Sequence, residues 1–324
     1  MGDWPQLNPI EQMNEEMKKS LKTDIFFFQG KGSLFKLRNR HFLVIWKRIN
    51  RRLNGMDSFL AFFEGMPSWQ KLSWIVACMS LNFIIEGIRP MFTGGFRSWQ
   101  HTRTNLVFLS TTMLINVVFG LLTVGVFTWG TQVQLGVLHW MTAPTWVELL
   151  VAVVVFDFIA QFGVHWCLHN VPVLWRLHMV HHSDTHVDVT TGTRHHPIDF
   201  VVREVFAVAA VVVTGAPVAF YVFYRILTVF FTYMTHANVT LPRGLERALG
   251  LVFVTPRMHK FHHHFEAPWT DRNYGNMLSI WDRLFGTMVD GEVKDIRYGL
   301  DVTDANRGDD LGYQMTLPFR RKSS

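Results

Sequence analysis

The chain has 324 residues, of which 49% are hydrophobic and 17% are charged, and its mean hydropathy is +0.14. Soluble domains carry about 25% charged residues, so this composition argues against a soluble globular protein. The formal net charge of +6 would suit nucleic acid. The long apolar stretches favour a membrane surface instead, and we expect no nucleic-acid partner.

Residues 1–104 are predicted to form a basic N-terminal region that is partly amphipathic and lies at the membrane interface. Residues 31–52 hold eight Lys and Arg and no acidic residue, and apolar side chains recur among them at helical spacing. This pattern predicts an amphipathic helix on an anionic membrane surface, with a plain solvated helix as the alternative. Residues 72–88 are apolar but short and are interrupted by Glu86. We favour an interfacial position for them, with a short span as the alternative.

The apolar segments that follow predict an all-α integral membrane protein with two transmembrane helical hairpins. Residues 104–147 contain no Asp, Glu, Lys or Arg over 44 positions, whereas a membrane helix needs about 20 apolar residues. Residues 105–129 and 146–163 form the first predicted hairpin. Residues 199–235, broken at Gly215-Ala-Pro217, form the second.

The open ends of both hairpins are predicted to meet on one side of the membrane. Basic segments at 31–52, 89–103 and 243–260 fall on that side if residues 72–88 do not span, so the positive-inside rule makes the side cytoplasmic. We predict a multi-pass protein of the inner membrane in a bacterium, or of the endoplasmic reticulum in a eukaryote. Its catalytic domain, residues 105–324, would carry a cytoplasmic helical cap rich in histidine.

Histidines provide the clearest chemical signal. Thirteen of the 16 lie between residues 165 and 264. The main clusters are His165 with His169, then His178, His181 and His182, then His259, His262 and His263. Residues three and four apart share one helix face, and neutral imidazole is a ligand for transition metals. So many converging rings exceed what one ion needs, which predicts a cap that holds a dinuclear metal site.

An ordinary buried histidine pair is the alternative interpretation of any single cluster. Burying this many imidazoles without partners would cost about 1–3 kcal/mol for each ring. Coordination to metal removes that cost. Three clusters within apolar sequence therefore favour metal binding over a purely structural role.

Further motifs accompany the clusters in a fixed order along the chain. They are Asp157, Arg194-His-His-Pro197, His236-Ala-Asn238, Asn273-Tyr-Gly275 and Ile280-Trp-Asp-Arg283. Together with the histidine clusters, they resemble the fatty acid hydroxylase and sterol desaturase superfamily of membrane proteins over about residues 148–318. The ending Thr316-Leu-Pro-Phe319 is similar to that of bacterial members.

This resemblance implies a non-haem di-iron oxygenase that uses O₂ to hydroxylate or desaturate a C–H position of a membrane lipid, such as a sterol or a fatty acyl chain. Zinc can substitute for iron in such sites after purification. The ligands that it implies are His165, His169, His178, His181, His182, His196, His236, His259, His262 and His263. His196 is included because the family's histidine precedes proline, although the adjacent His195 leaves the choice open.

Four further residues are candidate catalytic or supporting groups. Asp157 lies within an apolar span, where it could accept a hydrogen bond from a ligand histidine or simply bridge two helices. Asp282 could orient a histidine or pair with Arg283. Asn238 is expected to donate a hydrogen bond near the site or to form a turn, and Tyr274 to cover the site or to pack.

An oxidising cofactor is required on chemical grounds, since no side chain can break an unactivated C–H bond. The sequence lacks the His-Pro-Gly-Gly element of a fused haem-binding domain. We therefore expect a separate electron donor, a ferredoxin or cytochrome with its reductase. Two alternatives stay open: a membrane metal-binding or transport protein without oxygenase activity, and a lipid enzyme with another outcome, such as ether cleavage or aldehyde removal.

Overall fold

A computed structural model describes residues 27–29, 33–35, 55–93 and 98–320. The chain divides into two compact units, Met1–Ser58 and Phe59–Ser324. In the first unit, strands β1 (Phe27–Gln29) and β2 (Ser33–Phe35) pair antiparallel. The predicted amphipathic helix over 31–52 is therefore wrong at 33–35, and the remainder of it lies outside the described residues.

The second unit is helical. Its helices from Ser68 onward are α1 (Ser68–Ile88), α2 (Trp99–Val133), α3 (Thr145–Asp157), α4 (Val164–Asn170), α5 (Pro172–His182), α6 (Pro197–Thr214), α7 (Val218–His236), α8 (Arg243–Gly250), α9 (Pro256–His262), α10 (Ile280–Leu284) and α11 (Leu311–Thr316). Short 3₁₀ segments lie at Val137–Trp140, Val189–Thr193, Val293–Asp295, Ala305–Arg307 and Leu317–Phe319. An all-α architecture is thus confirmed for this unit.

Four helical stretches of the described residues are long and apolar enough to cross a membrane. They are Ser68–Ile88, Trp99–Trp140, Thr145–Asn170 and Val218–His236. Helix α1 contains the segment at 72–88, and its 21 residues give about 31 Å of helix. That length matches a bilayer core of about 30 Å. The segment is therefore long enough to span the membrane, and shortness no longer favours an interfacial position for it.

Helix α6 is not among those four stretches of the described chain, although we predicted it as half of the second hairpin. It carries Asp199, Arg203 and Glu204 near its N-terminus. It nonetheless packs against α2 and α3, while α7 packs against α1 and α3. The pairing of helices into membrane hairpins and the cytoplasmic position of the cap stay predictions.

The core lies where α3, α6 and α7 meet. Phe156 of α3 stacks on Tyr224 of α7, with ring centroids 5.1 Å apart, and both side chains are buried. Gly136 (φ +122°) follows the end of α2 and lies against Gly215, which follows the end of α6. A Cβ on Gly136 would come within 2.3 Å of the Gly215 nitrogen. Only glycine fits such a backbone crossing.

A π-helical segment, Phe158–Gly163, joins α3 to α4 within one continuous helix. Such segments insert extra backbone into an α-helix and are frequent near functional sites. The insertion rotates the residues that follow it about the helix axis, relative to the residues that precede it. It directly precedes His165, so it determines how α4 presents its histidines.

Candidate metal centre

The structure gathers nine of the ten predicted ligand histidines into two groups. One group holds His165, His169, His178, His182 and His262, and the other holds His181, His236, His259 and His263. Within each group, every residue offers a ring nitrogen, and these nitrogens all lie within 4.8 Å of one another. All nine side chains are buried.

Four helix ends bring these rings together. Helices α4 and α5 supply the histidines of the first two sequence clusters, His236 is the last residue of α7, and α9 supplies the third cluster. Neighbouring residues on a helix point about 100° apart. Accordingly, His181 and His182 enter different groups, and so do His262 and His263.

Backbone carbonyls fix the tautomer of several rings. The Nδ1 atoms of His165, His236 and His262 donate to the carbonyls of Tyr274, Thr232 and Arg272, each at 2.7 Å. His181 Nδ1 donates to the Arg194 carbonyl at 3.2 Å. Because a carbonyl can only accept, Nδ1 carries the proton and Nε2 presents a lone pair to the centre.

Carboxylates orient two further rings. His169 Nδ1 lies 3.0 Å from Asp271 Oδ1, and His178 Nδ1 lies 3.5 Å from Asp199 Oδ2. A carboxylate partner on the outer nitrogen is the usual support of a metal-binding histidine, since it fixes the ring and raises its basicity. Neither aspartate was singled out from the sequence.

The inward nitrogens approach one another closely enough to share a cation. Nε2 atoms lie 3.1 Å apart between His165 and His178, 3.2 Å apart between His181 and His236, and 2.9 Å apart between His236 and His259. His181 and His236 both carry their proton on Nδ1, so their facing Nε2 lone pairs would repel. A positive ion between them turns this repulsion into coordination, so the residues present fit a metal.

Unpartnered nitrogens give independent support for this fit. The buried Nε2 atoms of His169, His182, His262 and His263 have no hydrogen-bond partner among the described residues. Burial without a partner costs about 1–3 kcal/mol for each atom. Burial also lowers the pKa of His178 to about 3 and holds the pKa of His182 and His263 well below the usual value. These rings are therefore neutral, as coordination requires.

His196 lies outside both groups, so the structure does not bring it together with the other nine predicted ligands. It is the N-cap of α6, where its Nδ1 accepts from the backbone N–H of Ile198 at 3.2 Å. Its Nε2 donates to the Met315 carbonyl at 3.3 Å. Both ring nitrogens are thus engaged in holding the helix start.

His195, the other candidate that the sequence left open, lies closer to the histidine groups than His196 does. Its ring stacks on that of His181 at a centroid distance of 4.8 Å. Its Nδ1 lies 2.9 Å from Asp199 Oδ2, and it forms a smaller potential metal-binding group with His178 and Asp199. One carboxylate therefore supports two neighbouring rings.

Asp157 and Asn238 do not contact the histidine rings in the way that the sequence suggested. Asp157 Oδ2 accepts from Trp281 Nε1 at 2.8 Å and from the backbone N–H of Leu278 at 3.3 Å. Asn238 binds the backbone of Phe92 through both its amide oxygen and its amide nitrogen. Both residues join segments of the chain, which agrees with the bridging and turn-forming alternatives.

Tyr274 and Asp282 support the centre through the backbone. The Asp282 carboxylate accepts from the N–H groups of Tyr274 and Gly275, both at 2.8 Å, and from the Thr287 hydroxyl at 2.6 Å. The Tyr274 carbonyl in turn accepts from His165. The buried Tyr274 ring also lies 5.3 Å from that of His169. Asp282 therefore acts on a ligand ring through one peptide group.

Two charged residues near the second group were not predicted as site residues. Glu86 is buried and accepts from the backbone N–H of Asn238 at 2.6 Å. Lys260, between two ligand histidines in α9, is buried and donates to the His236 carbonyl. A charge inside an apolar helix is a functional candidate by default, and Glu86 carried that signal in the sequence.

Comparison with known proteins agrees with this geometry. Residues 149–287 match the fatty acid hydroxylase family. The chain is 36% identical to ornithine lipid hydroxylase OlsE of Rhizobium tropici over 132 residues, which cover 40% of this chain and 39% of that protein. It is 29% identical to the alkylglycerol monooxygenase of Caenorhabditis elegans over 150 residues, or 46% of this chain and 28% of the relative.

The human alkylglycerol monooxygenase is 26% identical over 166 residues, which cover 50% of this chain and 34% of that enzyme. The matches thus span well under two thirds of the length of these curated relatives. No solved structure matches the chain significantly. All nine grouped histidines fall within residues 149–287, the segment that matches the fatty acid hydroxylase family.

Proposed function

We propose that this protein is an O₂-dependent lipid hydroxylase or desaturase that binds one iron ion at each of the two histidine groups. The observation that carries the proposal is the close approach of the Nε2 lone pairs of His181 and His236, whose protons are held on Nδ1 by backbone carbonyls. Two adjacent sites of this kind suit a dinuclear centre. The similarity of residues 149–287 to the fatty acid hydroxylase family favours iron-dependent oxygenation over zinc hydrolysis.

Two reduced irons would supply the electrons and the oxidising power that a C–H bond demands. The residues of the chain have other tasks. Nine rings hold the ions, and the carbonyls and carboxylates on their outer nitrogens keep the lone pairs directed inward. Complete burial of the rings excludes water, which protects the oxidising equivalents from side reactions.

A membrane lipid is the substrate class that we propose. The relatives are named for an ornithine lipid and for alkylglycerols, and the four apolar helices give such a substrate access from the bilayer. Electrons would come from a separate ferredoxin or cytochrome with its reductase. We place the centre on the cytoplasmic side, at the inner membrane of a bacterium or the endoplasmic reticulum of a eukaryote.

Oxidation beside an ether oxygen is a second candidate, favoured by the matches to four alkylglycerol monooxygenases. Inserting one oxygen atom from O₂ at the ether carbon gives a hemiacetal, while the second oxygen atom leaves as water with two electrons and two protons from the donor. The hemiacetal then breaks into an aldehyde and an alcohol. Both reactions need the same metal centre. They differ in the substrate, because only the second oxidises a carbon that is bonded to an ether oxygen.

Lipid analysis combined with metal analysis tests the proposal. The full chain is expressed with a ferredoxin and reductase, its iron content is measured, and the lipids of the cells are compared by mass spectrometry with those of cells expressing His236→Ala. We expect two irons per chain and a lipid that gains one oxygen or loses two hydrogens; an aldehyde would indicate the ether reaction. Bound metal with unchanged lipids in aerobic cells would instead identify a metal-binding or transport protein.

A further inference from the structure

A basic cavity lies beside the metal centre and has no role in the proposed chemistry. It has a volume of about 710 Å³ and is bordered by α8, by the start of α9 and by residues near α10. Its charged lining consists of Arg243, Arg247, Arg257, Arg283, Glu246 and Asp290. Four guanidinium groups thus face the space against two carboxylates.

Much of this positive charge is available to a ligand. Arg257 binds Asp290 Oδ1 at 3.0 Å, which neutralises that carboxylate. Arg283 donates from one nitrogen to the Gly250 carbonyl and is only weakly offset by the adjacent Asp282, with which it forms no close ion pair. Arg243 and Arg247 are exposed and form no ion pair with the described residues. Guanidinium binds phosphate oxygens in a bidentate manner, so such a cavity favours a phosphate ester.

An apolar surface borders the same cavity. Leu251 lines it, and the neighbouring Leu284 and Phe285 of the α10 turn are 71% and 53% exposed. Phe285 stacks on Phe162 at 5.2 Å and on Phe158 at 5.9 Å. Because those two rings belong to the membrane-span candidate Thr145–Asn170, the apolar surface continues onto a helix that would face lipid.

The sequence position of α8 agrees with a membrane-interface location. Arg243 begins the helix only seven residues after His236, where another span candidate ends. Helix α8 carries Arg243, Arg247 and the exposed Leu245 within eight residues. Short helices of this composition lie in the headgroup region, with arginine near phosphate and leucine in the acyl boundary.

We propose that this cavity binds the phosphate of an anionic membrane phospholipid, with its acyl chains along Leu251, Leu284 and Phe285. Helix α9 forms the wall between the lipid and the metal centre. Its Arg257 and Met258 line the cavity, whereas His259 and His262 belong to the histidine groups. The site therefore places an anionic headgroup one helix away from the centre. It does not rest on the proposed oxidation reaction.

Native mass spectrometry of the full-length protein in detergent tests this site. Phosphatidylglycerol and phosphatidylcholine are titrated separately, and inorganic phosphate is added as a competitor in a third arm. We expect phosphatidylglycerol to bind more tightly than phosphatidylcholine. The double variant Arg243→Gln/Arg247→Gln should lose this preference, with phosphatidylglycerol binding weakened roughly tenfold or more.

Matched variants separate a site from a general charge effect. Arg103→Gln/Arg297→Gln removes the same charge from exposed arginines outside the cavity and should keep the preference. Arg243→Lys/Arg247→Lys should recover part of the binding. Unchanged metal content in each variant reports an intact fold.

Three results would overturn the proposal. The first is equal binding of the two lipids to the wild type, or an undiminished preference in the glutamine variant. The second is inorganic phosphate that binds as tightly as phosphatidylglycerol at the same arginines, which would identify a free-anion site. The third is a glutamine variant that binds lipid normally but loses electron transfer from an acidic ferredoxin, which would identify a protein docking site.

Discussion

Glu86 and Lys260 bind the same two stretches of backbone, one through N–H groups and the other through carbonyls. The Glu86 carboxylate accepts from the N–H of Val189 at 2.7 Å and of Asn238 at 2.6 Å. The Lys260 ammonium donates to the carbonyl two residues earlier in each stretch. Both side chains are buried and their opposite charges attract.

This arrangement fixes one end of the second histidine group. His236 provides one of the carbonyls that Lys260 holds, and Lys260 itself lies between His259 and His262. Glu86 comes from α1, which precedes the matched family domain. Helix α1 therefore takes part in placing a candidate metal ligand, although it carries none of the nine histidines.

We expect Lys260→Met to destabilise the protein by about 3–5 kcal/mol, because it leaves the buried Glu86 beside Asp188 without its cation. Glu86→Gln should cost less, because Asp188 and Asp184 also attract the Lys260 ammonium. The double variant should cost less than the sum of the two. Thermal unfolding in detergent measures the stability, and metal analysis should show weaker binding at the second group. Glu64→Gln, at an exposed position, is the control. Additive costs for the two single changes would show that the charges act independently.

His236→Ala and His196→Ala should affect the metal content differently. His236 contributes an inward Nε2 to the second group, so its loss should remove one of the two ions. His196 caps α6, and its loss should cost about 1 kcal/mol while both ions stay bound. Metal-to-protein ratios of the two purified variants provide the measurement. Loss of an ion from the His196→Ala variant would indicate that His196 is a metal ligand.

Asp282→Asn should weaken metal binding more than Asp271→Asn does. An amide nitrogen at position 282 would face a backbone N–H of residues 274–275 and shift the carbonyl that orients His165. Such supporting contacts are worth roughly 10–100-fold in metal affinity. Asp271 has a side chain that is 56% exposed, so an amide oxygen there can still accept from His169. Competition with a chelator measures both affinities, and equal losses would argue against the route through the Tyr274 backbone.

The convergence of the eight clustered histidines was predictable because their signal is local, whereas His236 entered the prediction only through the family resemblance. Spacings of three and four place rings on one helix face, and this needs no tertiary information. The division into two groups was not predictable, since it depends on how α5 and α9 face each other. His181 and His182 are adjacent in sequence yet belong to different groups.

The position of His196 outside both histidine groups has a local cause that the sequence did contain. Pro197 starts a helix at its first position, which makes the preceding residue the N-cap. An N-cap side chain accepts a hydrogen bond from a backbone N–H of its own helix. His196 Nδ1 accepts from Ile198 in this way and is not free to bind a metal ion. The role of Asp157 was harder to predict, because the π-helical segment at Phe158–Gly163 changes the face that a regular α-helix would give it.

Asp157→Ala separates the two interpretations of that carboxylate. Its removal leaves the Trp281 indole N–H and the Leu278 backbone N–H without their acceptor, at a cost of about 1–3 kcal/mol for each group. The metal content should stay unchanged, because no ligand ring bonds to Asp157 in the described structure. Asp157→Asn keeps an amide oxygen for the indole and should recover much of the stability. Thermal unfolding together with metal analysis of both variants gives the measurement. A folded alanine variant that loses metal would show that Asp157 supports a histidine after all.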